Sequence, residues 1–113
     1  MSRPVALAVV WTVVIVVACT VPGERLPPAP FLSFDKLVHV AMFAPLAFLW
    51  RRALGPRDLA VLVGSAALAV LIELWQALPF IGRTGDVGDA VADIVGALVG
   101  LAAARALARR RPA

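Results

Sequence analysis

Four apolar runs constrain this chain more than any other feature: Val5 to Val21, Leu37 to Trp50, Leu59 to Leu78 and Val87 to Leu107. Each is bounded by proline, glycine or charge. Crossing the hydrocarbon core of a bilayer takes about 20 apolar residues, so the second run is expected to tilt, to draw Asp35 and Lys36 into its start, or to begin below the interface. The chain is 62% apolar with a mean hydropathy of +0.93, well above the roughly half-apolar composition of soluble domains. These observations predict an all-α fold: an integral membrane four-helix bundle, one domain over residues 1–113, with helices at about 5–21, 35–51, 58–78 and 87–107.

The charge pattern orients that bundle. Arg3 precedes the first run, Arg51, Arg52 and Arg57 fill the second connection, and Arg105, Arg109, Arg110 and Arg111 close the chain. The first and third connections hold Arg25, Lys36 and Arg83, interleaved with Glu24, Asp35, Asp86 and Asp89. By the positive-inside rule both termini face the cytoplasm and those two connections face outward. The expected location is the inner (cytoplasmic) membrane, crossed several times. The net charge of +4 would suit nucleic acid, but the arginines sit at the ends of apolar segments and form no basic face, so no nucleic-acid partner is expected.

The connections are short. "VPGERLPPAPFLSF" holds four prolines and a glycine and suits an extended interfacial loop, with Phe31 and Phe34 at headgroup level. Ser33 or Asp35 is expected to cap the second helix, Pro45 to kink it, Asp58 to cap the third and Pro79 to stop it. Trp11, Trp50 and Trp75 are expected to pack or to anchor at interfaces. Cys19 is the only cysteine, which excludes an intramolecular disulfide and a cysteine metal cluster. The run ending "VVAC" also fits a lipoprotein signal with Cys19 lipidated. Its spanning length and the three further runs favour a thiol buried in the first helix.

Against this apolar background, "ELWQALPFIGRTGDVGDAVADIVGALVG" at residues 73–100 concentrates polar groups. A carboxylate inside a spanning helix costs roughly 2.5–3.5 kcal/mol on insertion scales and needs partners. Asp89, Asp93, Gly96 and Gly100 fall at i, i+4, i+7 and i+11, a single stripe of the fourth helix. Its first half is acidic and its second a G-x-x-x-G surface for close helix packing. Glu73 and Gln76 share a face of the third helix, and Asp35 and His39 share one of the second. At about 1.5 Å per residue, Glu73 lies about 8 Å below Leu78, Asp93 about 9 Å below Val87 and His39 about 6 Å below Asp35. The topology read from the arginines therefore brings these groups to one side at similar depth. Blander roles compete: Asp86 and Asp89 as a capping pair, His39 as a satisfied core imidazole, Gln76 as a helix-to-helix bond, and a Glu73–Arg83 pair that only orders the hairpin.

The combination "DKLVH" at 35–39, "ELWQ" at 73–76 and "RTGDVGDAVADIVGALVG" at 83–100 resembles the VanZ-like family of small bacterial membrane proteins. Its pattern falls here on Asp35, Lys36, His39, Glu73, Gln76, Arg83, Asp86, Asp89, Gly96 and Gly100. Position 93, commonly asparagine in that family, is aspartate in this chain. The family takes its name from a protein associated with teicoplanin resistance and includes many members with no antibiotic connection. The resemblance therefore implies a cell-envelope setting, through glycopeptide resistance or envelope homeostasis.

The leading functional expectation is an outward-facing polar pocket that binds the headgroup of a membrane lipid or lipid-linked envelope precursor. Its ligand-binding candidates are Asp35, Lys36, His39, Glu73, Gln76, Arg83, Asp86, Asp89 and Asp93. Arg83, with Lys36, would hold phosphate or carboxylate oxygens; the acids and Gln76 would bind amine, hydroxyl or sugar groups. A membrane-embedded enzyme is the alternative, with His39 or Glu73 as general base and Arg83 stabilising developing negative charge. Ser33, Thr84 and Cys19 stand without a recognisable nucleophile motif. One histidine among carboxylates is a weak metal signal, and no metal or cofactor is expected. Proton or cation transport would need polar groups in the cytoplasmic halves of the helices, which are almost wholly Ala, Val, Leu and Gly. A structural scaffold is the remaining reading, as a homo-oligomer through small-residue faces such as Gly64, Ser65 and Ala69.

Overall fold

The computed structural model describes residues 1–26, 30, 33–83 and 87–110. Four helices carry the fold: α1 (Arg3–Thr20), α2 (Phe34–Leu54), α3 (Asp58–Gln76) and α4 (Val87–Arg110), with a 3₁₀ turn at Gly23–Arg25 between the first two. No strand occurs among the described residues. The helices contain 18, 21, 19 and 24 residues, and all four are long and apolar enough to cross a membrane. Their lengths, about 27 to 36 Å, bracket the roughly 30 Å hydrocarbon core. The short second run belongs to a longer helix than its apolar stretch indicates. Asp35 and Lys36 open α2, Arg51 and Arg52 fall in its last turn, and Pro45 lies within it.

Residue pairs at the helix ends define the arrangement. His39 near the start of α2 meets Asp93 near the start of α4, and Gln76 at the end of α3 reaches Cys19 at the end of α1. Arg51 of α2 and Arg105 of α4 both meet Asp58 at the start of α3. The bundle thus has one end where α1 and α3 finish and α2 and α4 begin, and an opposite, arginine-rich end.

The most extensive helix contact is between α2 and α4. Its cause is the pair of glycines on α4. A Cβ on Gly96 would stand 2.7 Å from the Val40 carbonyl oxygen, and one on Gly100 would overlap that of Ala44. Only hydrogen at these positions lets the backbones approach this closely. On the other side of α2, Phe43 and Leu46 pack with Ile15 and Cys19 of α1 and Ala69 and Ile72 of α3. Beyond these seams, large apolar side chains such as Val17, Leu37, Leu59, Leu74 and Leu98 are exposed on all four helices. Such a surface suits hydrocarbon rather than water.

The three tryptophans are hydrogen-bonded ties to or from α1. Trp11 Nε1 donates to the Met42 carbonyl at 2.9 Å, beside the Ala41 carbonyl that Pro45 deprives of its helical N–H partner. Trp50 Nε1 donates to Thr12 Oγ1 at 2.9 Å and Trp75 Nε1 to Thr20 Oγ1 at 3.0 Å. Each threonine in turn donates to the carbonyl four residues back, Ala8 and Val16. A hydroxyl with one hydrogen and two lone pairs serves both bonds.

Three expectations are corrected. Ser33 occupies the N-cap of α2 but makes no side-chain capping bond, and its backbone there is not extended. Asp58 is the first residue of α3 rather than its cap, with Arg57 preceding it. Its carboxylate binds Arg51 Nε at 2.8 Å, a charge-assisted bond that takes the oxygen a cap would offer. The small-residue face divides: Gly64 is exposed, whereas Ser65 and Ala69 are buried inside this chain.

Candidate functional site

At the end opposite the arginines, five ionisable side chains form a continuous chain across α2 and α4. Lys36 Nζ lies 2.8 Å from Asp35 Oδ2 and 2.6 Å from Asp89 Oδ1. Asp89 Oδ2 is 3.5 Å from His39 Nε2, and His39 Nδ1 is 2.7 Å from Asp93 Oδ1. Side-chain exposure falls along that path from 51% at Asp35 through 34% at Lys36, 12% at Asp89 and 6% at His39 to none at Asp93. The chain therefore runs inward from the surface. Helical spacing explains it, because Asp89 and Asp93 are one turn apart on α4 and face Lys36 and His39, close to one turn apart on α2. Asp93 Oδ2 is buried and has no hydrogen-bond partner among the described residues.

A second polar group closes the end of α1. Gln76 Nε2 donates to the Cys19 carbonyl at 3.3 Å, and Arg83 Nη1 donates to the carbonyls of Ala18 and Cys19 at 3.5 and 3.2 Å. The last turn of α1 contains no basic residue of its own, so Arg83 brings the positive charge favoured at a helix C-terminus from another part of the chain. Backbone bonds hold it there: Arg83 N–H donates to the Gln76 carbonyl at 3.2 Å, and Gly23 N–H to that of Ile81 at 3.0 Å. Gly82, between Ile81 and Arg83, turns the chain with φ 64, a conformation that glycine adopts without strain. Arg83 is thus tied to α1 carbonyls. Glu73 lies one turn before Gln76, within electrostatic range of His39 and Cys19.

Between these two groups lies a cavity of about 340 Å³, lined by Ala18, Cys19, Leu26, Phe34, Asp35, Val38, His39, Met42 and Arg83. Three of the candidate site residues, Asp35, His39 and Arg83, are on its wall. Lys36, Gln76, Asp89 and Asp93 are not; they bond to the groups that are, or to the α1 carbonyls beside them. Asp86 lies outside the described residues, as do Phe31, Thr84 and Arg111. The part α1 plays was missed by reasoning from side chains alone, because its contribution is the backbone of Ala18 and Cys19. The absence of any basic residue in its last turn was the available signal.

The wall combines a guanidinium, an imidazole and a carboxylate with apolar side chains. His39 is held from two directions by carboxylates, which fixes the plane of its ring. No group of three or more His, Cys, Asp or Glu side chains among the described residues has the geometry to hold a metal ion.

Fold and site together define an all-helical protein whose four helices are long and apolar enough to cross a membrane, with a polar cluster built where four helix ends meet. The model of the VanZ/LLP1 family matches residues 5–108, and the chain belongs to that family. Searches of curated proteins and of solved structures gave no match.

Proposed function

We propose that this protein crosses the cytoplasmic membrane four times, with both termini in the cytoplasm. In this reading the polar end binds the headgroup of a lipid or lipid-linked envelope precursor. The observation that carries the reading is the mixed wall of the cavity between the end of α1 and the start of α2. Arg83, Asp35 and His39 share it with Leu26, Phe34, Val38 and Met42. A purely aqueous ligand would have no use for the apolar half, and a hydrocarbon chain none for the polar half.

Arg83 has no carboxylate partner among the described residues, so its charge is available to a phosphate or carboxylate, which a guanidinium holds through paired N–H groups. Asp35 and His39 offer acceptors and a donor to amine, hydroxyl or sugar groups. Lys36, Asp89 and Asp93 position them. Such binding suits a part in envelope homeostasis or glycopeptide resistance. Mass spectrometry of lipids that co-purify with the detergent-extracted protein tests the reading. Arg83→Ala should deplete the retained lipid, and an unchanged lipid complement would contradict it.

One observation favours a second reading, an enzyme acting on the same headgroup. The 2.7 Å contact between Asp93 and His39 is the orienting arrangement that a histidine general base requires, on an imidazole that lines the cavity. His39→Gln would then abolish conversion of an added envelope-lipid extract while leaving lipid retention in place. Absence of any conversion by the unaltered protein leaves binding as the function.

A further inference from the structure

The arginine-rich end has its own unbalanced electrostatics. Asp58 Oδ1 accepts from Arg51 Nε at 2.8 Å, and its Oδ2 stands 3.4 Å from Arg105 Nε. Two guanidiniums, one from α2 and one from α4, share a single carboxylate of α3. Asp58 is the only acidic residue between positions 36 and 72, and none follows Asp93. Arg52, Arg57, Arg109 and Arg110 add further positive charge at the same end. This pattern alone is expected of any chain that follows the positive-inside rule, so it names no ligand.

A groove at the same place does. Between α3 and α4 runs a cavity of about 340 Å³ whose apolar walls include Leu59, Leu62, Leu98 and Leu101, and which ends at Asp58 and Arg105. Leu59 and Leu98 are 74% and 51% exposed, and the Arg105 side chain is 57% exposed, so both the channel and the cation at its end can be reached from outside. Arg105 touches its carboxylate at the longer of the two distances and shares it with Arg51. The result is an apolar channel that terminates in an incompletely neutralised cation. That is the complement of an acyl chain joined to a phosphate.

We propose that the α3–α4 groove is a binding site for an anionic glycerophospholipid, with one chain along the leucines and the phosphate on Arg105. A guanidinium offers a phosphodiester two parallel N–H donors, and the surrounding arginines favour a lipid of net negative charge over a zwitterionic one. The site is separate from the cavity at the polar end and does not depend on what that cavity binds.

Native mass spectrometry of the full chain in detergent tests this. The protein is titrated in parallel with phosphatidylglycerol and phosphatidylcholine of identical chains, with inorganic phosphate as competitor. The expected result is one phosphatidylglycerol bound about fivefold or more tightly than phosphatidylcholine, with no displacement by phosphate. Arg105→Gln, which removes the guanidinium from the phosphate, should weaken phosphatidylglycerol several-fold, and Leu98→Trp, which fills the groove, should weaken both lipids. Leu71→Trp, on an exposed face outside the groove, should change neither. Circular dichroism establishes that each variant is folded, and Leu98→Trp decides the matter if Arg105→Gln does not fold. Equal binding of the two lipids would overturn the proposal. So would phosphatidylglycerol binding that Arg105→Gln or Leu98→Trp leaves unchanged, or displacement by inorganic phosphate, which would reveal an anion site without a chain groove.

Discussion

His39 of α2 and Asp93 of α4 meet through Nδ1 and Oδ1 at 2.7 Å, with Asp93 wholly inaccessible to solvent. One turn toward the surface, Lys36 and Asp89 repeat the connection at 2.6 Å. One turn deeper, Gly96 lets the helix backbones close on each other at Val40. The α2–α4 seam therefore passes from ionic to hydrogen-bonded to backbone contact along a single stripe. The polar rungs set its register, and the glycines set its spacing.

The inner rung predicts an ordered series of variants. Asp93→Asn keeps an oxygen for His39 in a side chain of nearly the same shape, so it should alter stability by no more than about 1 kcal/mol. Asp93→Leu leaves the imidazole without its nearest partner and should cost about 1–3 kcal/mol. Thermal unfolding in detergent, followed by circular dichroism, checks the order; equal effects would show that the bond contributes little.

Glycine positions should divide by sign. Gly96→Ala and Gly100→Ala force a methyl into the carbonyls of Val40 and Ala44, a packing conflict worth about 1–3 kcal/mol. Gly64 has nothing within 4 Å of an added Cβ, so Gly64→Ala should stabilise α3 through helix propensity by up to about 1 kcal/mol. The same unfolding measurement reads all three.

The tryptophan ties predict coupling across helices. Thr12→Val and Trp50→Phe each remove one side of a 2.9 Å bond, and each should cost about 0.5–1.5 kcal/mol. The double variant should cost less than their sum, because the bond can be lost only once. Full additivity would mean that the indole and the hydroxyl do not support each other.

The helix count could be read from the sequence because each apolar run is long and each break contains proline, glycine or charge. The start of α2 could be read as well, with Asp35 and Lys36 at its opening, but its end could not: Arg52 reads as a flank, yet a charged residue continues a helix readily when its head can reach water. The stripe of Asp89, Asp93, Gly96 and Gly100 is visible in spacing alone, since it lies on one helix. Its partners on α2 required the register between helices, which is a tertiary property. Arg83 shows the limit most clearly. Its partners in the fold are main-chain carbonyls of Ala18 and Cys19, groups that every residue carries, to which the lack of a basic residue in the last turn of α1 was the one pointer.

Binding of a polar headgroup from the membrane in the cavity between α1 and α2 carries the proposed function. Its most direct test is site-specific photocrosslinking, with Val38 on the cavity wall and Val17 on the exposed face of α1 each replaced in turn by a benzophenone amino acid. Intact mass spectrometry of the irradiated protein, made in its own membrane, then reads the adducts. A lipid-derived adduct of defined mass is expected at Val38, distinct from the mixture trapped at Val17 and lost in Arg83→Ala. The same unselective adducts at both positions, or an adduct at Val38 that persists in Arg83→Ala, would contradict it.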